Sequence, residues 1–183
     1  IRNGSCMRIL FVHQNFPGQY VHIVRTLAAQ GSHQLVGLKL VQPGEAVPQM
    51  QGVQVVGYTL SRGSCPEIHP WVSDVETKVI RGEACAAALS QLLAKGFRPD
   101  LICGHAGWGE CLFFKDLLPD VPLLTYQEFF YRARGLDLDF DPEFQADLSW
   151  QGCARNRLKT ANPLLNLIAS DWSVTPTRFQ HRT

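Results

Sequence analysis

No run of apolar residues in this sequence approaches the ~20 that a membrane-spanning helix needs, so it contains no candidate transmembrane segment. No two cysteines stand at the C-x-x-C spacing of a structural zinc site, and the six are scattered at 6, 65, 85, 103, 111 and 153. Cys85 and Cys103 sit in apolar surroundings where reduced core thiols belong, which argues against a disulfide framework. Net charge is nearly absent as well. Seventeen basic against sixteen acidic side chains leave +1, with no electrostatic footprint for nucleic acid or for an anionic membrane. No signal peptide precedes the first apolar segment, so the expected location is cytoplasmic. Residues 1–6, IRNGSC, carry no pattern and precede Met7, and are read as vector-derived or leader residues. The rest, 7–183, suits a single domain.

Three catalytic signatures are also missing. The dinucleotide fingerprint G-x-G-x-x-G needs three glycines after the first strand, where only Gly18 stands. A P-loop needs Lys-Ser or Lys-Thr at the helix start, and HQNFPGQY has neither. Gly104-His105-Ala106-Gly107-Trp108 has the outline of a hydrolase elbow, but Ala106 occupies the nucleophile's place. Asp137, Asp139 and Asp141 alternate in RGLDLDFDPEF, yet an EF-hand would need Gly where Pro142 stands and Glu where Leu148 stands. The same aspartates share the D-x-D pattern that holds a metal and a nucleotide-sugar diphosphate in one class of enzymes, but they follow five strands and lead into a helix, and a solvated loop accounts for them better. No metal site is expected.

What the sequence does contain is alternation. Arg8–Val12 is a short branched apolar run, as in a strand covered on both faces. Asn15 can cap a following helix, Pro17 suits its first turn, and Val21, Val24, Leu27 and Ala28 recur at helical spacing until Gly31. Residues 34–40 and 53–58 read as two strands separated by turn chemistry. Pro70 opens a long helix whose stripe is Val72, Val75, Val79, Ala86, Leu89 and Leu93, ending at Gly96. A strand at 100–103, a short helix at 108–118 and a strand at 122–126 follow. A helix from Pro142 to about Lys159 is broken or kinked by Pro163, a second piece ends near Ala169, and 172–174 is a last strand. This predicts an α/β fold, a doubly wound Rossmann-like parallel sheet flanked by helices.

In the usual strand order 3-2-1-4-5 the winding reverses between the first and fourth strands, and ligands bind beyond their carboxyl ends. That crevice would be lined by His13, Asn15, Phe16, Pro17, Gly18 and Gln19 from the first loop, whose amides face outward at a helix N-terminus. His105, Gly107 and Trp108 would come from the fourth strand, and Gln127, Glu128 and Tyr131 from the fifth. A histidine there serves as donor or base, a carboxylate as base or hydroxyl ligand, and Trp108 as a stacking face for a sugar or a packing residue. A crevice histidine contributes little packing, so its loss should cost less than about 1 kcal/mol. Arg155, Arg157 and Lys159 form a basic helical segment whose simplest reading is a solvated face.

Taken in order, RILFVHQNFPGQY, RPDLICGHAGWGE, PLLTYQEFFYRARG and DWSVTPTRFQ resemble the N-terminal half of a family 4 glycosyltransferase of the GT-B fold. The resemblance implies two Rossmann-like domains facing across a cleft, with this one holding the acceptor and an absent C-terminal domain binding the nucleotide-sugar. It implies transfer from a nucleotide-sugar donor to the hydroxyl of a sugar or lipid-linked acceptor, and no cofactor or metal. It also implies little activity in this piece alone, and a complete enzyme peripheral at the inner face of the membrane. Many members carry a histidine after the fifth strand, where this sequence has Gln127 followed by Glu128. By the resemblance His105, Gln127 and Glu128 are the catalytic candidates. The alternative is a free-standing doubly wound domain that binds a small ligand without catalysis.

Overall fold

The computed structural model describes residues 6–132, 134, 143 and 147–182. Six strands form one parallel sheet: β1 (Arg8–Val12), β2 (Gln34–Leu40), β3 (Gln54–Tyr58), β4 (Leu101–His105), β5 (Leu123–Tyr126) and β6 (Trp172–Val174). Their order is β3-β2-β1-β4-β5-β6, the expected arrangement extended by one edge strand. β1 therefore lies between β2 and β4, with Val12 in register with Leu38 on one side and Gly104 on the other.

Because side chains alternate along a strand, β1 feeds two cores. Leu10 and Val12 join Val36, Leu38, Ile102 and Leu123 on one face, under Cys85, Leu89 and Leu92 of helix α2 (Ser73–Ala94). Ile9 and Phe11 join Leu35 and Cys103 on the other, under Val24 of helix α1 (Val21–Gln30) with Phe16 and Tyr20. Cys85 and Cys103 are buried free thiols, as their surroundings indicated. Arg8 donates from its backbone and its guanidinium to Asp100, which ties the start of β1 to the approach to β4. That pairing holds the Asp100 carboxyl down at about 2.

Several element boundaries differ from the sequence expectation. α1 begins at Val21, after a 3-10 turn at Gly18–Tyr20, and Asn15 does not cap it. Phe16 and Tyr20 both sink into the core, which pins residues 13–20 as a packed turn ahead of the helix. α2 begins at Ser73, with Pro70 three residues outside it, and it buries Ile80, Cys85, Ala88, Leu89 and Leu92 while leaving Val79 exposed. The buried face runs through small residues: a Cβ on Gly82 would meet the Gly109 carbonyl oxygen at 2.8 Å, a closeness that a count of large apolar residues does not register.

The short helix expected from Trp108 is split into a 3-10 turn at Ala106–Trp108 and α3 (Phe114–Leu117). Gly109, at φ 101°, breaks it. Helix α4 (Trp150–Lys159) starts well after Pro142, where Ser149 caps it by accepting from the Gly152 N–H at 3.1 Å. The break before α5 (Ala161–Ala169) falls at Thr160, and Pro163 sits in the first turn of α5, where its missing N–H is tolerated. A last helix, α6 (Arg178–His181), follows β6. Residues 1–5, the aspartates 137, 139 and 141, and Pro142 lie outside the described residues. Among the described residues no helix is long and apolar enough to cross a membrane.

Candidate functional site

The carboxyl ends of β1, β4 and β5 place three predicted residues in one row. The His13 ring meets the His105 ring edge-on, with centroids 5.1 Å apart. His105 Nε2 lies 3.1 Å from Glu128 Oε2. Gln127 turns the other way: its Nε2 donates to Thr125 Oγ1 at 3.0 Å, and its backbone N–H donates to the carbonyl of Val174, the last residue of β6. Alternation beyond the strand end thus sends the carboxylate, and not the amide, into the crevice.

Backbone donors set the state of both histidines. Nδ1 of His13 accepts from the Asn15 N–H at 2.9 Å, and Nδ1 of His105 accepts from the Gly107 N–H at 3.1 Å. The proton of each neutral ring therefore resides on Nε2. For His105 that proton points at Glu128; His13 Nε2 is buried and makes no hydrogen bond among the described residues. Burial, reinforced by the neighbouring His105, pushes His13 down to about 4, with Gln19 opposing weakly. Burial also lowers His105, and outweighs the Glu128 carboxylate. Two neutral N–H donors and one carboxylate form the row. His105 is only 1% exposed, so the expectation of a loosely packed crevice residue does not hold.

The first loop does not offer the row of outward amides expected of it. The N–H groups of Phe16, Gly18 and Tyr20 bond to the carbonyls of His13, Asn15 and Pro17, and that of Asn15 is held by His13. Phe16 is core, its ring lying where a Cβ on Gly37 would be. Pro17 and Gly18 are half-buried beside His13, while Asn15 and Gln19 are exposed on the loop. A Cβ on Gly18 would lie 2.6 Å from the His13 ring, so this glycine lets the loop close over the histidine. Gly107 and Trp108 stand at the mouth, with Lys78 Nζ 5.1 Å from the centre of the indole ring. Tyr131 is elsewhere. It lines a separate hollow of about 510 Å³ with Phe130, Arg132, Cys153, Arg157 and Leu164.

Three residues that the sequence did not single out support the row, and a fourth, Glu110, is buried apart from it. Tyr126 stacks on the His105 ring, with centroids 5.6 Å apart. Asn162, on α5, donates to the carbonyls of Ala106 and Gly107 at 2.8 and 3.2 Å, and Asn166 donates to Asn162. Two asparagines four apart in the otherwise apolar ANPLLNLIA are the signal that could have found them. Glu110 is 0% exposed, its Oε1 accepting from the Tyr58 hydroxyl at 3.1 Å, and burial pushes its carboxyl up.

The chain is similar to known proteins at two levels. A family profile described as Glycosyl transferase family 4 group matches residues 31–183. Among solved structures, an alpha,alpha-trehalose-phosphate synthase (UDP-forming) from Burkholderia vietnamiensis aligns with 96% of this chain at a TM-score of 0.54 and 16% identity. That likeness is one of fold, and this chain spans 41% of that chain's length. No curated protein matches.

Proposed function

The chain belongs to the glycosyl transferase family 4 group, and from that premise we propose that it is the acceptor-side half of a GT-B glycosyltransferase, working with a second domain that binds the nucleotide-sugar. The observation that carries this reading is the row of two buried histidines and a half-buried carboxylate, His13, His105, Glu128, at the carboxyl ends of β1, β4 and β5. The acceptor is a sugar or lipid-linked hydroxyl compound, in a complete enzyme at the cytoplasmic side of the membrane. The donor's diphosphate is neutralised by helix termini and basic side chains of the other domain, without a metal ion.

Each residue of the row has a task in such a transfer. His105 donates its Nε2–H to one oxygen of Glu128 and fixes the carboxylate's direction. The other oxygen makes no hydrogen bond among the described residues and is open to an acceptor hydroxyl, whose proton it would take as the acceptor oxygen bonds the sugar's anomeric carbon and the bond from that carbon to the departing nucleoside diphosphate breaks. The same negative charge favours the oxocarbenium character that develops at the reacting carbon. His13 Nε2–H, a buried donor within reach of the exposed Gln19 and with no partner at hydrogen-bond geometry among the described residues, holds a substrate oxygen. Tyr126 and the Asn162–Ala106 bond keep the His105 ring from turning.

The test is Glu128→Gln in the complete protein, with a uridine-diphosphate sugar as the first donor to try, because the structural neighbour is described as UDP-forming. Gln keeps the shape and loses the charge. The expected result is a fall in kcat of about 10²-fold with acceptor KM nearly unchanged. A full kcat would remove Glu128 from the chemistry.

A further inference from the structure

One wall of the crevice carries Arg81, a cation that makes no ion pair with a carboxylate among the described residues. Arg81, half-buried in the middle of α2, donates from Nη1 to Gln14 Oε1 at 2.8 Å. Gln14 is neutral and follows His13 in the loop after β1. The Nε of Arg81 is buried without a partner, and among the described residues no carboxylate lies within ion-pair distance of the guanidinium. Glu110 is near enough to feel it, but its carboxyl is turned into the interior onto Tyr58. One turn earlier Lys78, its side chain 13% exposed, sits over Trp108 and is 3.5 Å from Asp74. Lys39, at the end of β2, adds a third cation that acts on His13.

The fold keeps these groups at the crevice. α2 approaches the Gly109 turn so closely that a Cβ there would lie 2.7 Å from Lys78 Cα, which puts this part of the helix beside the His105–Trp108 segment. A guanidinium whose Nε–H is buried without a partner, and whose one hydrogen bond goes to a neutral amide, is completed well by an anion. Planar carboxylates and phosphates fit that fork two bonds at a time.

We propose that the acceptor is an anionic sugar whose phosphate or carboxylate seats between Arg81 and Lys78, beside Gln14 and Trp108. This rests on the reading of the crevice as the acceptor site and names the class of acceptor. The charged group lies on the α2 wall, so the sugar hydroxyls extend toward His13 and Glu128.

The experiment titrates this chain with glucose 6-phosphate, glucuronate and glucose, following backbone amide and Trp indole resonances. The expected result is that at least one charged sugar binds about ten-fold more tightly than glucose, moving the signals of Gln14, Trp108 and Gly109. Glucose 6-phosphate ahead of glucuronate identifies a phosphate, and the reverse a carboxylate. Arg81→Gln is expected to bring the preference within about two-fold, and Lys78→Gln to weaken it in a chain whose core is untouched. Charged sugars no better than glucose, with glucose still moving His105 and Gly107, would overturn the anionic class and leave the acceptor site standing. A preference unaffected by both substitutions overturns it too. If no sugar moves the crevice signals, both readings fall.

Discussion

Replacing His105 by alanine is expected to destabilise the chain by about 3 kcal/mol, well beyond what an exposed catalytic residue would cost. The ring is enclosed between His13 and Tyr126, so its removal leaves a cavity that backbone strands on either side cannot close. It also strips the Gly107 N–H and the Glu128 carboxylate of their partners. Equilibrium unfolding in urea measures the loss; a change below about 1 kcal/mol would mean that the ring is not packed as described. An activity lost in His105→Ala would therefore be ambiguous on its own, because folding and chemistry are both affected.

Gly109→Ala should be at least as damaging. The residue has φ 101°, a backbone region that side chains rarely adopt, and a Cβ there would press into the Lys78 carbonyl. Both penalties act on one residue, and the neighbour that must yield is the backbone of a 22-residue helix. The expected cost is about 3 kcal/mol or more, a large part of the stability of an ordinary domain. Relief would come from moving α2 away from the turn, which would also separate Lys78 from Trp108. Thermal unfolding of the variant gives the answer; a melting temperature equal to that of the parent would contradict the close approach.

The parts of the fold legible in advance were those governed by composition over several residues. Arg8–Val12 fits a strand covered on both sides better than an alternating one, and alternation of such runs with helical spacing left few topologies. From that topology followed the meeting of His13 with His105, about ninety residues away in sequence, and with Glu128 beyond it. What could not be read was governed by single contacts. The face α2 buries depends on Gly82 approaching Gly109, and the enclosure of His105 depends on Tyr126 and on an asparagine pair sixty residues away. Whether Gln127 or Glu128 entered the crevice turned on one residue of register beyond β5, where periodicity gives out. The first loop was misread for a related reason: burial of Phe16 and Tyr20 turns its amides inward, and apolar residues so near a glycine and a proline look like loop decoration.

The central claim is that the row at the ends of β1, β4 and β5 carries glycosyl transfer, and turnover of His105→Asn in the complete protein tests it most directly. Asparagine at this position retains an oxygen for the Gly107 N–H, so the local turn survives, but its shorter side chain cannot reach Glu128. Measured per folded molecule with a uridine-diphosphate sugar and its acceptor, kcat is predicted to fall by about ten-fold or more. Turnover equal to that of the parent would contradict the account and leave the histidine row as the packed floor of a binding domain.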